Sequence, residues 1–250
     1  MCPIVPVTPT DELPHGPGVT DEWLFAAWAP DASLGLLSGH RVTGSRAWYW
    51  SAFVQAREPL LHLAEWDARV RADPFIVKAP EMWAEHHCVA PLEQWTIGNE
   101  AFFVALDDAD EAIGRAYGTP TATAMDLEWY ATRDPVALDD GFSQDGTVHG
   151  RIDVMGRTPV ELAEVPAMRW RRWRTAGTLA TLSRPGVLAV RLLAEGVVAG
   201  RVRSRRVQHG HSTSPNALRF RATVDETCRT NATSWTSTRP LARRRATDWS

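Results

Sequence analysis

The segment Glu81-Met82-Trp83-Ala84-Glu85-His86-His87-Cys88 sets carboxylate, imidazole and thiol groups side by side, and all three are transition-metal ligands. On a strand, His86 and Cys88 point one way while Glu85 and His87 point the other, so no single face carries three ligands. A helix would put Glu81, Glu85 and Cys88 together. No distant CxxC or HxxxH pair completes a metal set. The segment therefore reads as a polar pocket wall or packed strand. His86 or His87, with an imidazole that titrates near neutrality, is the acid–base candidate in it.

A second candidate pair is Asp126 and Glu128 in Ala124-Met125-Asp126-Leu127-Glu128-Trp129. A carboxyl group held against an apolar pocket has a raised pKa and can protonate an olefin or activate water. Other acidic and nucleophilic spacings carry less. Asp107-Asp108-Ala109-Asp110-Glu111 lacks the glycine and the terminal glutamate spacing of a calcium loop and reads as a solvated acidic loop. Ser38-Gly39-His40 is not a Gly-x-Ser-x-Gly elbow. Neither a phosphate-cradling loop nor a dinucleotide fingerprint is present, so the sequence implies no organic cofactor and no metal.

The chain has 12 Trp. Indole rings give large rigid contact area, and each buried ring needs a partner for its N–H. So many of them read either as the packing of a thick barrel core or as the flat aromatic wall of a cavity. Trp23, Trp48, Trp50, Trp95, Trp129 and Trp173 are the candidate ligand-contacting rings, with Trp48 and Trp50 sharing a face if their segment is a strand.

These residues sit on short strands. Glu22–Ala29 is an apolar run of strand length, Pro30-Asp31 turns the chain, and Leu34–Val42 returns. Trp48–Gln55 is compatible with a strand or a short helix, and Leu60–Val70 alternates. Within Leu92–Leu106, Gly98-Asn99 predicts a hairpin turn. Met125, Leu127 and Trp129 alternate with Asp126, Glu128 and Tyr130, and Val148, Gly150, Ile152 and Val154 alternate with His149, Arg151 and Asp153. Gly156-Arg157 then turns into Thr158–Val165. Period two with one dry side is an antiparallel sheet, and turn-marked strands without a long amphipathic helix predict an all-β barrel or sandwich.

Net charge is −3, and it is split along the chain: residues 1–168 carry −16 and residues 169–250 carry +13. The C-terminal third has 17 Arg and no Lys, and is rich in Ser and Thr. It lacks the apolar content to offset its ordering entropy along most of its length. Read at face value it is a basic, nucleic-acid-binding tail. Arg-, Ser- and Thr-rich sequence without Lys is also what GC-rich coding DNA yields out of frame, which would leave a truncated paralogue. Three widely spaced cysteines (Cys2, Cys88, Cys228) give no disulfide framework and fit a reducing, cytoplasmic compartment. Met1–Thr20 is rich in Pro and Gly and reads as a loose lead-in rather than a signal peptide, and no apolar run is long enough to span a membrane.

Residues 123–173 resemble a known group. Gln144, Gly146, Val148, Gly150 and Gly156, followed by Arg169 and Trp173, resemble the C-terminal half-barrel of a lipocalin-like superfamily. That superfamily includes carotenoid hydratases of the hydroxyneurosporene synthase type, some Diels–Alderases and many actinobacterial proteins. The resemblance departs at Trp170, Arg171, Arg172 and Arg174, where the superfamily pattern has Asp, His, Ser and Gly. It implies an all-β, lipocalin-like antiparallel fold of two barrels with an apolar cleft between the halves, the second barrel incomplete: a lead-in over 1–20, a first half-barrel over 21–118, the start of a second over 119–175, and a divergent, poorly ordered Arg-rich segment over 176–250. The function expected from these readings is binding of an apolar isoprenoid, steroid or polyketide-like molecule. Transformation by a hydratase- or cyclase-like lyase or isomerase is the catalytic form, with Asp126, Glu128 and His86 as its acid–base residues. The alternatives are nucleic-acid association through the basic tail and a non-functional truncated paralogue.

Overall fold

A computed structural model describes residues 6–112 and 116–175. Within them the protein is all-β, one large antiparallel sheet in which eight strands close into an uneven ring. The strands are β1 (Val19–Trp28), β2 (Leu34–Thr43), β3 (Arg46–Gln55), β4 (Leu60–Arg69), β5 (Ile76–Ala79), β6 (Met82–Ala90), β7 (Gln94–Leu106), β8 (Thr119–Ala131), β9 (Val136–Leu138), β10 (Gly141–Val154) and β11 (Val160–Thr175). Their order is β4-β3-β2-β1-β11-β10-β8-β7-β6-β5, with β9 beside β10.

The ring closes where β4 also pairs β7, through Leu60↔Leu106, Leu61↔Ala105 and His62↔Val104. Beyond His62 the two strands part, and β7 takes β6 as its neighbour instead, from Met82↔Ala101 to Ala90↔Gln94. The barrel is therefore sealed all round except at one seam, where the rest of β4 faces β5 without a shared ladder. The strands of residues 119–175 belong to the same sheet as those of 19–106, because β11 pairs β1 from Ala27↔Ala167 to Val19↔Thr175.

Two-residue periodicity sets what fills the ring. Met125, Leu127 and Trp129 are buried on the luminal side of β8, while Asp126 and Glu128 are exposed on the other. The luminal cluster collects Trp23, Phe25, Trp95, Ile97, Phe103 and Trp129 with many smaller groups. A second apolar cluster lies on the outer side of β1–β3 and β11, around Leu24, Leu37, Trp50, Ala52, Met168 and Trp170.

One open reading is settled and one expectation changes. Trp48–Gln55 is a strand throughout, β3. Gly98-Asn99 is not a turn: β7 runs unbroken through it, and the chain reverses instead at Pro91–Glu93, between β6 and β7. A Cβ at Gly98 would meet the Trp83 ring at an ordinary 3.4 Å, and Asn99 delivers a side chain to the interior. The Arg-rich segment expected over 176–250 lies outside the described residues.

Candidate functional site

One end of the barrel is stoppered by the N-terminal segment. Pro9–Glu12 forms a 3-10 turn, and Glu12 is carried inside, 1% exposed. Its carboxylate accepts two guanidinium bonds from Arg169 of β11, at 2.9 and 2.5 Å, and one from the Leu92 backbone N–H at 2.9 Å. Gln144 completes the set: its carbonyl oxygen accepts from Arg169 at 3.1 and 2.6 Å, and its NH2 donates to the Leu92 and Arg133 carbonyls at 2.8 and 2.9 Å. Arg171 does the same work two residues on. It donates to the Asp11 and Leu13 carbonyls and to Asp21, and its guanidinium lies 4.1 Å from the centre of the Trp23 ring. The segment expected to be loose is thus tied down from Asp11 to Leu13, and Arg169 and Arg171 are interior cations with acidic partners.

Above this stopper the lumen holds a polar cluster inside an aromatic wall. The Ser38 Oγ of β2 lies 2.8 Å from His86 Nε2 of β6 and 3.1 Å from the Tyr49 hydroxyl of β3. Asn99 of β7 donates from Nδ2 to the Tyr49 hydroxyl at 2.8 Å and to Ser51 at 3.4 Å. Every hydroxyl is used if protons run Asn99 to Tyr49 to Ser38 to His86 Nε2, which leaves the His86 hydrogen on Nδ1. That nitrogen has no hydrogen-bond partner. Neither do Asn99 Oδ1, both nitrogens of His40, or the indole nitrogens of Trp95 and Trp129, all of them buried.

Burial decides the charge of these groups. Desolvation holds His40 at a pKa of about 3. It also lowers His86 well below the usual imidazole value, with His40 adding to the effect. The same burial raises Tyr49, whose bonds to Ser38, Asn99 and Ser51 pull the other way. At neutral pH the lumen is therefore uncharged around this cluster, and it offers hydrogen-bond donors and acceptors rather than an ion-pairing group. His86 can take a proton from Ser38, but nothing holds its Nδ1, so the arrangement lacks the orienting third group of a nucleophilic triad.

The expected site residues divide by strand parity. His86 is at the centre of the cluster. Trp23, Trp95 and Trp129 are luminal, and Phe25 packs against His86, Trp95 and Trp129 with ring centres 5.2 to 6.2 Å apart. Trp48 and Trp50 are on the outer side, with the Arg41 guanidinium beside both rings and Trp66 within 6.3 Å of each. Trp173 stands at the stoppered end beside His15 and Phe142. Asp126 and Glu128 point to solvent, where Glu128 accepts from the Tyr130 hydroxyl at 2.8 Å. No apolar pocket surrounds either carboxyl group. Cys88 is a free, half-buried thiol at the stopper. Among the described residues no group of three His, Cys, Asp or Glu is placed to hold a metal ion.

Sequence reading missed Ser38, His40, Tyr49, Ser51 and Asn99 as a set. The one local signal is polar residues at alternate positions on otherwise apolar strands: Ser38 and His40 on β2, Tyr49 and Ser51 on β3. No protein-family model matches the chain, and no curated protein matches its sequence. Among the described residues no helix is long and apolar enough to cross a membrane.

Proposed function

We propose that the barrel lumen binds an uncharged, largely apolar small molecule of the isoprenoid, steroid or polyketide kind that carries a hydroxyl or carbonyl group. The observation behind this reading is the set of buried polar atoms without partners on His40, His86, Asn99, Trp95 and Trp129, gathered inside one aromatic wall. An unsatisfied buried donor or acceptor costs about 1–3 kcal/mol. Several of them in one lumen are better explained by a guest that completes them than by packing alone. The guest is neutral because the histidines are neutral and the interior cations Arg169 and Arg171 already have carboxylate partners. It is small, because an eight-stranded ring has room for its own side chains and at most one small ligand.

The reading places the chain with the carotenoid hydratase and Diels–Alderase type of lipocalin-like protein. In its favour, the residues that carry the resemblance are structural keystones here: Gln144 bonds Arg169, and Gly146 lies beneath the Trp129 ring. If the guest is transformed, His86 is the acid–base group nearest to it, and the solvent-facing Asp126 and Glu128 take no part.

Native mass spectrometry of the full chain purified from its host, followed by titration with the neutral dye Nile red, tests this. We expect a co-purifying neutral molecule or saturable one-to-one dye binding, weakened about tenfold in Asn99→Leu by loss of one hydrogen bond. An empty protein that also fails to bind the dye saturably overturns the proposal.

A further inference from the structure

The ring of strands has one break in its hydrogen bonding, and it leads to the polar cluster. β4 pairs β7 only over Leu60–His62, and β5 pairs only β6. Between the remainder of β4 and β5 lies an open groove of about 860 Å³, lined by Glu65, Ala68, Val70, Asp73, Lys78 and Ala79 among others. Ala68 belongs to the luminal apolar cluster, and Val70 and Ala79 pack against it, so the floor of the groove adjoins the wall of the lumen.

Phe75 lies in the chain between Asp73 and Ile76, which line the groove, and packs against the luminal cluster. It precedes β5, is half-buried, and its ring centre is 4.9 Å from that of Trp23, 5.5 Å from Trp95 and 6.4 Å from His40. Its backbone is anchored: its N–H donates to Asp73 Oδ1 at 2.9 Å, and its carbonyl accepts from the His86 N–H at 3.1 Å. The residues before it, Arg71 to Asp73, are exposed. Behind the ring is His40, both of whose nitrogens lack a partner.

We infer that the β4–β5 seam is the portal of the lumen and that Phe75 is the side chain that controls passage and sets the width of molecule admitted. Parting the seam breaks no strand ladder, whereas every other route through the wall breaks backbone hydrogen bonds between paired strands. The mixed charges of the groove, Glu65 and Asp73 against Arg69 and Lys78, give it no strong single sign, which fits the passage of a neutral molecule.

This inference rests on the lumen being a binding site, and stopped-flow mixing of the full-length protein with Nile red separates the two. Phe75→Ala is expected to raise association and dissociation rates together by roughly tenfold, leaving the dissociation constant within about threefold, because the ring's edge-to-face contacts resist opening. Ala79→Trp, which narrows the groove, is expected to slow both rates. Phe102→Ala, a half-exposed ring elsewhere on the wall, is expected to leave both unchanged. Phe75→Leu keeps bulk and serves as the variant with wild-type folding. Dye binding with rates indifferent to Phe75 and Ala79 overturns the portal and leaves the lumen site standing; no saturable dye binding by the wild-type chain overturns both.

Discussion

Glu12 and Arg169 stand 157 residues apart in the chain and meet as a doubly hydrogen-bonded ion pair in which both side chains are 1% exposed. The pair fixes the N-terminal segment across one end of the barrel, and with it the inner limit of the lumen.

Removing one member of such a pair leaves the other charged and buried. Glu12→Gln should cost about 3–5 kcal/mol in urea unfolding at neutral pH. The double variant Glu12→Leu with Arg169→Met should lose less than Arg169→Met alone, since it leaves no lone charge. A double variant that falls below both singles would show that the pair adds net stability beyond its own desolvation.

The lumen histidines make stability depend on pH. His40 is depressed to about 3 from an unfolded value of 6.5, and His86 is depressed as well. The unfolded chain therefore binds protons that the folded chain refuses. Their contribution is fully present above about pH 6.5 and is lost progressively as pH falls toward 3, each neutral histidine adding up to about 1.4 kcal/mol per pH unit to the slope. His40→Phe should flatten the curve of unfolding free energy between pH 6.5 and 4. An unchanged slope would mean that His40 is protonated in the fold.

Gly146 has no room for a side chain. A Cβ there would lie 2.4 Å from both the Trp129 ring and the Tyr130 carbonyl oxygen. One obstacle is backbone, so the strand pair β8–β10 has to shift. Gly146→Ala should cost about 2–3 kcal/mol and weaken dye binding, because Trp129 is displaced into the lumen. Calorimetry and Nile red titration read the two effects.

Asp126→Asn and Glu128→Gln should be close to silent. Both side chains are on the solvent face, and surface changes of this kind stay within about 0.5 kcal/mol. Any ligand affinity or turnover of the full chain should survive both changes. Loss in either would place a carboxylate at the site that the described geometry keeps outside.

Cys88 should be slow to react. Burial, with the Glu12 carboxylate nearby, raises its thiol to about 11 while Arg169 pulls the other way. At pH 8 little thiolate exists. Iodoacetamide labelling read by peptide mass should leave Cys88 unmodified in the folded protein and modify it in urea.

What the sequence determined by itself is the strand content and the two faces of each strand. Alternation at Met125–Tyr130 and at Val148–Val154 is local, so period two can be read from neighbours in the chain, and the luminal side of β8 follows at once. The same arithmetic placed His86 and Cys88 on one side of β6. Tertiary structure alone decided which strands are neighbours. Ser38, Tyr49, His86 and Asn99 come from four strands and carry no common spacing, so their union depends on register across the ring. Asp126 and Glu128 fall on the polar side of the β8 alternation, and the structure places both in solvent. Gly98-Asn99 has turn chemistry, yet pairing on both sides of β7 with β6 and β8 holds it extended, because ladder bonds along the whole strand outweigh a local turn preference. Closure, stopper and seam are likewise long-range: they arise when the end of β11 returns to β1 and Glu12 finds Arg169, pairings that no local pattern encodes.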